Sequence, residues 1–355
     1  MPHPDPQAPP DVLARRFLHF AEREAAGSSP LYTRLCRHIA DDPEALALAA
    51  NVPPGQPTPN LLLAAVHYLL LSGLKHPLAD FYPSLTAAPD LVDDPYPAFH
   101  QFCLVRAEEI RKLLLTRRVQ TNEVARCACL LPAFALVAQQ TQHAPISLIE
   151  IGASAGLNLL WDQYGYDYGN GQRYGLLSSP LQIPCALRGD TSPPLPSILP
   201  TVAWRMGIDL HPVDIHDPDA VLWLRALIWP EHHERVSRLQ QALEVARRSP
   251  PRLVAGDALK LLPELAASAP ANTTLCIFHS FTVNQFSAEA RERLSSLLRE
   301  ISAQRTTFRI SFEELSRATY PQLHLITYMG RTGSKQLLAA GSSHGRWLEW
   351  SAQQA

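Results

Sequence analysis

The sequence predicts an α/β protein whose main domain is a doubly wound, mostly parallel sheet of the seven-stranded type with antiparallel terminal strands. Three observations support this prediction. Strand-like and helix-like segments alternate after residue 145, a pattern typical of parallel sheets. A small-residue turn, Gly152–Gly156, follows the first of these strands. Finally, the last strand candidates have no helices between them, which predicts an antiparallel edge. The chain before residue 145 is helical in pattern and predicts an all-helical N-terminal domain.

The composition is that of an ordinary globular protein, with 46% hydrophobic and 18% charged residues in a chain of 355. A net charge of −2 provides no basic excess, so nucleic acid is not expected as a partner. Cys127 and Cys129 form no C-x-x-C pair and are expected to be buried helix residues. The N-terminus lacks a signal segment, and the longest apolar run, 60–73, is too short to span a bilayer. We therefore expect a cytoplasmic protein without a membrane partner.

The N-terminal part is predicted to consist of a tail and a series of helices. Residues 1–10 are proline-rich and are expected to form a disordered tail. Residues 11–144 are expected to form an all-helical domain that caps the site of the second domain. Its helices are expected at 11–26, 30–40, 43–50, 60–71, 98–115 and 122–140.

Residues 145–355 are predicted to form the α/β domain, with an insertion at 164–200. Strands are expected at 148–151, 201–210, 252–255 and 273–278, alternating with helices at 155–164, 218–248, 258–267 and 287–303. Further strands without intervening helices are expected at 307–312, 323–328, 336–340 and 347–350. The insertion is rich in tyrosine and glycine, which predicts a small hairpin followed by a proline-rich arm.

Polar residues stand at the carboxyl ends of the predicted parallel strands, where such sheets bind their ligands. Glu150 and Gly152 end the first strand, Asp209 the second, Asp257 the third and His279 the fourth. An acid after the second strand is placed to accept hydrogen bonds from ribose hydroxyls, and one after the third from the amine of adenine. The series predicts a nucleoside site.

Residues 146–350 resemble the class I S-adenosylmethionine-dependent methyltransferases, in which E/D-x-G-x-x-x-G opens the cofactor loop and G-D-A ends the third strand. Runs at 120–124, 150–158, 207–209 and 229–231 also resemble an uncharacterised bacterial family, domain-of-unknown-function family 2332. The first resemblance implies a Rossmann-like methyltransferase-type domain, S-adenosylmethionine as cofactor, and methyl transfer to a small or medium-sized acceptor. The expected cofactor-binding residues are Glu150, Gly152, Ala153, Ser154, Gly156, Asn158, Asp209, Asp257, Ala258 and, from the helical part, Asn122.

Two features depart from the methyltransferase pattern. The loop has Ser154 where a central glycine is common, and we expect its hydroxyl to contact the cofactor carboxylate. Asp209 lies much farther beyond Gly156 than the roughly 20 residues typical of dinucleotide folds, and the insertion accounts for this distance if it loops out. Asp167 is the alternative ribose acid, although no apolar strand precedes it.

His279 and Glu123 are the candidate catalytic residues. His279 is placed either to act as a base toward a hydroxyl or amine acceptor, or to be buried and hydrogen-bonded beneath the site. Asn122 and Glu123 either cap the following helix or face the cofactor. The tyrosines of the insertion either form an aromatic wall over the sulfonium or pack in the core; they are Tyr164, Tyr166 and Tyr168.

No metal site is expected. The run Glu231–Glu234 lacks the H-E-x-x-H spacing of a zinc helix and is expected to be an exposed helix face.

Two alternatives to methyl transfer are open. One is a non-catalytic protein that binds an adenosine-containing metabolite or a protein partner. The other is a nicotinamide-dependent oxidoreductase, which the absence of G-x-G-x-x-G disfavours. The sequence identifies neither the methyl acceptor nor the oligomeric state.

Overall fold

A computed structural model describes residues 9–120, 122–314 and 318–351. The chain divides into two compact units. The first comprises the described residues up to 120 together with 217–237, and the second comprises 122–216 and the described residues from 238 onward. None of the helices in these ranges is long and apolar enough to span a bilayer.

The α-helices, in chain order, are α1 (Pro10–His19), α2 (Pro30–Ala40), α3 (Pro43–Ala49), α4 (Thr58–Leu71), α5 (Tyr96–Val105), α6 (Ala107–Thr116), α7 (Arg126–Gln140), α8 (Pro218–Ala226), α9 (His233–Arg248), α10 (Ala258–Ser268) and α11 (Ala288–Ile301). A π-helical segment, Phe20–Ala25, continues α1, and short 3₁₀ segments lie at Pro77–Phe81, Leu157–Gln163 and Val283–Gln285.

The β-strands are β1 (Ile146–Ile151), β2 (Gly165–Asp167), β3 (Arg173–Gly175), β4 (Gln182–Pro184), β5 (Ala186–Arg188), β6 (Val202–Asp209), β7 (Leu253–Ala255), β8 (Thr274–Ser280), β9 (Thr307–Glu313), β10 (Gln322–Met329), β11 (Thr332–Gly341) and β12 (Trp347–Trp350).

The first unit is built around α4, which is apolar on all sides and buried along most of its length. The described residues of the first unit contain helices and turns and no strand. The segment 217–237 belongs to the same unit, and two of its side chains, those of Trp223 and Glu231, form hydrogen bonds to residues of that unit. Trp223 Nε1 donates to the Arg118 carbonyl at 2.8 Å. The Glu231 carboxylate accepts from Ser29 Oγ at 2.7 Å and from the Leu31 amide at 3.0 Å.

The division differs from the boundary predicted at residue 144. Helix α7 lies in the second unit, and 217–237 joins the first although it is distant in sequence. The expectation of an exposed face over 231–234 is therefore wrong for Glu231, whose carboxylate caps the start of α2. The single helix predicted over 98–115 is also divided, since α5 ends before Arg106 and α6 begins after it.

The second unit contains a nine-stranded, mostly parallel sheet in the order β7-β6-β1-β8-β9-β10-β11-β12-β5. Strands β7 to β9 in this order are parallel, and β10, β11 and β12 continue as antiparallel neighbours. The antiparallel terminal strands were correctly predicted, but the sheet has nine strands rather than seven. Eight of the nine correspond to the strands predicted individually from the sequence, and the ninth, β5, comes from the insertion and pairs with β12.

The strand order of this sheet reverses at its centre, beside β1. From β1 the chain adds β6 and β7 on one side, and it then returns to add β8 and β9 on the other. All six residues of β1 are buried, as expected of a strand covered on both faces. Doubly wound sheets bind ligands where the strand order reverses, at the carboxyl ends of the strands. Here that point lies between the ends of β1 and β8.

The insertion forms a three-stranded sheet in the order β3-β2-β4, with β2 and β3 as a hairpin. Its residues Tyr164, Tyr166 and Tyr168 are buried, and each hydroxyl donates to a backbone carbonyl: Tyr164 to Leu157, Tyr166 to Trp161 and Tyr168 to Ala128. These tyrosines pack in the core, which was the second of the two alternatives, and they do not form an aromatic wall over a ligand.

Candidate functional site

The loop after β1 needs glycine at two positions. Gly152, Ser154 and Gly156 have φ values of 75°, 51° and 71°, in the left-handed region. A Cβ on Gly152 would lie 2.2 Å from Thr282 Oγ1, and one on Gly156 would lie 2.6 Å from Pro251 Cγ. The loop is therefore packed tightly against the segment after β8 and the segment before β7.

The backbone amides of this loop are bonded within the protein. Gly152 N and Ala153 N donate to Ile208 O, Ser154 N to Asp209 Oδ2, Ala155 N to Asn122 Oδ1, and Gly156 N to Ala153 O. The helix expected at 155–164 is instead a short 3₁₀ segment, Leu157–Gln163, bent at Leu160. Because these amides are bonded within the protein and a regular helix is absent there, the loop does not form the kind of anion site found at a helix N-terminus.

Asn122 holds the loop from outside. Its Nδ2 donates to Ser154 Oγ at 2.7 Å, and its Oδ1 accepts from the Ala155 amide at 3.1 Å. Through these two hydrogen bonds Asn122 fixes the conformation of the loop, and we call it the clamp of the loop. The Ser154 oxygen is used as an acceptor, which leaves the hydroxyl proton to donate elsewhere.

Glu150 is a buried acid directly behind the loop. Its side chain is hydrogen-bonded to Asn158, whose Oδ1 accepts from the Cys127 thiol at 3.3 Å. Glu150 Oε2 is buried and has no hydrogen-bond partner among the described residues. Burial raises the pKa of Glu150 well above its usual range, against the hydrogen bond to Asn158, and the charge of Asp209 raises it further. The carboxyl group is therefore placed to be a protonated donor.

Asp209 is the last residue of β6, and Asp257 lies two residues beyond the end of β7. Asp209 Oδ2 accepts from Ser154 N and Oδ1 from His211 N, both at 2.8 Å. Asp257 Oδ1 accepts from the Leu259 amide at 2.9 Å and so caps α10, which begins at the buried Ala258. The Asp257 carboxylate keeps lone pairs for a ligand, because a carboxylate can accept about four hydrogen bonds.

Asp167, the alternative ribose acid, lies elsewhere. It ends β2 in the small sheet, where Oδ1 accepts from the Gly169 amide at 2.9 Å and Oδ2 lies 3.2 Å from Arg173. It stabilises the hairpin and is not at the edge of the main sheet.

Glu123 is buried at the start of α7. Its Oε1 accepts from the Ala125 amide at 3.3 Å, and Oε2 lies 3.4 Å from His344 Nδ1. The neighbouring Arg126, which sequence reasoning missed, is also buried. Its Nε donates to the Ser343 carbonyl at 2.8 Å, and its guanidinium lies 4.0 Å from the centre of the Phe281 ring. These contacts hold α7, the turn before β12 and the segment after β8 together.

His279 is fully buried, and both of its ring nitrogens are bonded. Arg309 Nε donates to Nε2 at 3.0 Å, so the ring proton is on Nδ1, which donates to Glu313 Oε1 at 2.5 Å. Burial lowers the pKa of His279, and the nearby Arg309 charge lowers it further. Of the two interpretations that the sequence allowed, a base facing the acceptor and a buried, hydrogen-bonded residue, the geometry of His279 agrees with the second.

Glu313 and Thr282 are further residues that sequence reasoning missed. Glu313 ends β9, the next parallel strand, so extending the search of strand ends by one would have found it. It accepts the amides of Thr282, Val283 and Asn284, each at 3.1 Å, and thereby fixes the segment after β8. Burial acts to raise the pKa of Glu313, but the hydrogen bonds from His279 and from the backbone hold it below its usual range.

The arrangement presents three acids at the ends of three adjacent strands. Glu150 is suited to donate a hydrogen bond, while Asp209 and Asp257 are suited to accept them. A ligand with hydroxyl and amine donors, such as a nucleoside, matches this set.

Outside the site, one group of potential metal ligands occurs in the described part of the first unit: Asp42, Glu44 and His100.

Comparison with known proteins identifies a family. Residues 14–350 match the family described as "Uncharacterized protein conserved in bacteria (DUF2332)", the same family that the sequence motifs resemble. No match was found among curated proteins or solved structures.

Proposed function

Since the chain belongs to this bacterial family, we propose its function from the geometry of the site: the protein binds S-adenosylmethionine and transfers the methyl group to a small or medium-sized acceptor. One observation carries the proposal. Glu150, Asp209 and Asp257 stand at or just beyond the carboxyl ends of β1, β6 and β7, beside the point where the strand order reverses.

The roles of these residues follow from the chemistry of their side chains and from their places at the strand ends. Asp209 would accept the ribose hydroxyls, and Asp257 would accept the adenine amine through the oxygen that does not cap α10. The Ser154 hydroxyl and the protonated Glu150 would be donors toward the carboxylate of the methionine part. Transfer itself is an in-line displacement, to which positioning makes the main contribution.

Calorimetry with the full chain tests cofactor binding. We expect micromolar-range binding of S-adenosylmethionine and of its demethylated product, and a loss of at least about tenfold in affinity for Asp257→Asn, because a charged hydrogen bond contributes about this much. Asparagine is as good an N-cap as aspartate, so the fold is preserved. Asp217→Asn is the matched control, since Asp217 caps α8 through the same type of bond, to the Asp219 amide at 2.9 Å. An absence of heat from both ligands with folded protein would contradict the proposal.

A second candidate is a non-catalytic protein that binds the same cofactor or a related adenosine metabolite. The observation that favours it is the burial of both candidate catalytic residues, His279 and Glu123, at 0% and 3% exposure. Incubation with labelled S-adenosylmethionine and bacterial small-molecule extract separates the two. Transfer of label supports the methyltransferase, whereas cofactor binding without transfer favours the non-catalytic function.

A further inference from the structure

A cleft of about 760 Å³ lies in the second unit, between helix α11 and the face formed by β9, β10 and β11. Its size falls within the range of small-molecule sites. We call it the basic cleft because of four cationic lining residues: Arg291, Arg299, Arg309 and Lys335. None of these residues takes part in the proposed cofactor site.

Strand register brings two of these cations onto one face of the sheet. Ile326 of β10 is paired with Arg309 on β9 and with Lys335 on β11. Residues paired across a sheet project from the same face, and strands two positions apart are separated by roughly 10 Å. The long side chains of Arg309 and Lys335 therefore flank Ile326 and can reach a common ligand.

The charges of Arg309 and Lys335 are not compensated within the described residues, where neither side chain has a carboxylate within ion-pair distance. The other two cations are partly engaged: Arg291 donates to the Val283 and Asn284 carbonyls, and Arg299 pairs with Glu292 at 3.3 Å. The acids of the cleft are Glu313, whose oxygens are bonded as described above, and the exposed Glu314.

Arg309 is held in position by the His279–Glu313 pair. His279 Nε2 accepts from Arg309 Nε at 3.0 Å, which leaves the two terminal nitrogens of the guanidinium available. Glu313 orients His279 and is itself fixed by three amides. A buried histidine and a buried glutamate thus orient one arginine, and burying the charge of Glu313 carries a desolvation cost.

The titration of neighbouring groups indicates the same positive potential. Desolvation lowers the pKa of Lys335, and the Arg309 charge lowers it further. Desolvation likewise lowers the pKa of His324 to about 4, and the charges of Lys335 and Arg309 add to this. The part of both shifts that comes from neighbouring cations is repulsion that a bound anion would relieve.

We propose that the basic cleft binds a small organic phosphate, with the phosphate group between Arg309 and Lys335 and the organic part against Ile326 and Tyr328. A phosphate monoester carries close to two negative charges, which match the two uncompensated cations, and the planar guanidinium can bond it through two nitrogens. A monocarboxylate would leave one cation unpaired. The hydroxyl of Ser311, next to Arg309 along the same face of β9, provides a further donor.

Phenyl phosphate and benzoate are a suitable pair of probes, because they share the ring and differ in the anionic group. We expect calorimetry on the full chain to show saturable binding of phenyl phosphate that weakens as ionic strength rises. Benzoate should bind at least about tenfold more weakly. Lys335→Gln changes an exposed side chain and should fold normally; it is expected to weaken phenyl phosphate binding about tenfold, as is Arg309→Gln.

Arg293→Gln is the matched control, because Arg293 lies on the same helix α11 but pairs with Glu300 outside the cleft. Its affinity for phenyl phosphate should equal that of the wild type. Three results would overturn the proposal: no binding by folded wild-type protein, equal weakening by Arg293→Gln, or benzoate binding as tight as that of phenyl phosphate. S-adenosylmethionine carries no phosphate, so these results do not depend on the proposed methyl transfer.

Discussion

Asn122 and Ser154, 32 residues apart, are joined by a hydrogen bond of 2.7 Å from the amide of one to the hydroxyl of the other. The same Asn122 side chain accepts from the amide of Ala155, a fully buried residue, at 3.1 Å. One side-chain amide therefore supplies both a donor and an acceptor to the loop after β1. This bond makes the shape of the loop depend on a residue outside the strand-turn motif.

Asn122→Ala should lower the free energy of unfolding by about 1–3 kcal/mol, because it leaves the buried Ala155 amide without its acceptor. Asn122→Asp keeps an acceptor and should lose less. Chemical denaturation measures both. Asn170→Ala, an exposed amide in the β2–β3 hairpin, is the control and should be close to wild type. Equal stability of Asn122→Ala and Asn170→Ala would contradict the clamp.

Gly152→Ala should be more destabilising than its backbone conformation alone explains. Gly169 has nearly the same φ, 72° against 75°, but nothing lies within 4 Å of a Cβ placed there. Gly169→Ala should therefore cost only the left-handed conformation, about 1–2 kcal/mol. Gly152→Ala adds the clash with Thr282, which we expect to contribute a further 1–3 kcal/mol, roughly the cost of overpacking.

The double variant Gly152→Ala, Thr282→Gly isolates the clash. The three atoms nearest to the added Cβ all belong to the Thr282 side chain, so in the Thr282→Gly background the cost of Gly152→Ala should fall toward that of Gly169→Ala. An unchanged cost in that background would show that the two segments are not coupled through this contact.

Much of the sheet was predictable from local patterns. The acids Glu150, Asp209 and Asp257 stand in the sequence at or just beyond the ends of apolar strands, so their place at one edge of the sheet follows from parallel pairing alone. The nine-strand count was not predictable in this way, because β5 is three residues long and is a strand only through its pairing with β12.

The details that depend on distant partners escaped prediction. Asn122 and Asp209 accept hydrogen bonds from two amides of the loop after β1, and neither residue is adjacent to the loop in sequence. Trp223 and Glu231 find their partners in the first unit across more than a hundred residues. His279 was equally consistent with a base and with a buried residue, and only the positions of Arg309 and Glu313 decide between them.

Glu150→Gln should alter the pH dependence of stability. The pKa of Glu150 is raised in the folded protein, so the fold binds this proton more tightly than the unfolded chain does. Stability from this group is present below the unfolded pKa of about 4.3 and is lost as pH rises toward the folded value. The substituted amide cannot ionise, and the variant should therefore gain stability relative to wild type as pH rises above about 4.3.

Denaturant unfolding at several pH values measures the difference in unfolding free energy between Glu150→Gln and wild type. The cost of replacing the carboxyl group is the same at every pH, so it does not affect how this difference changes with pH. Glu264→Gln, an exposed residue of α10, is the control and should follow the wild-type curve. A Glu150→Gln curve parallel to wild type above that pH would mean that the acid ionises at its usual pKa.

His67 should make the protein sensitive to mild acid in the opposite sense. It is buried in the first unit, with Nδ1 3.0 Å from the Ala226 carbonyl and Nε2 2.8 Å from Ser84 Oγ. Burial lowers its pKa to about 4, whereas the unfolded value is about 6.5. The unfolded chain therefore binds the proton first, and stability falls as pH drops from about 6.5 to about 4, by about 3 kcal/mol for this group.

His67→Asn removes the titration while keeping a donor near the position of Nδ1, so its unfolding free energy should vary less with pH over that window than the wild-type value does. His19→Asn replaces an exposed histidine of the same unit and should retain the wild-type slope. The measurement is the slope of the unfolding free energy against pH, which is independent of the constant cost of each substitution. An identical slope for His67→Asn and wild type would show that His67 is protonated as readily in the fold as in the unfolded chain.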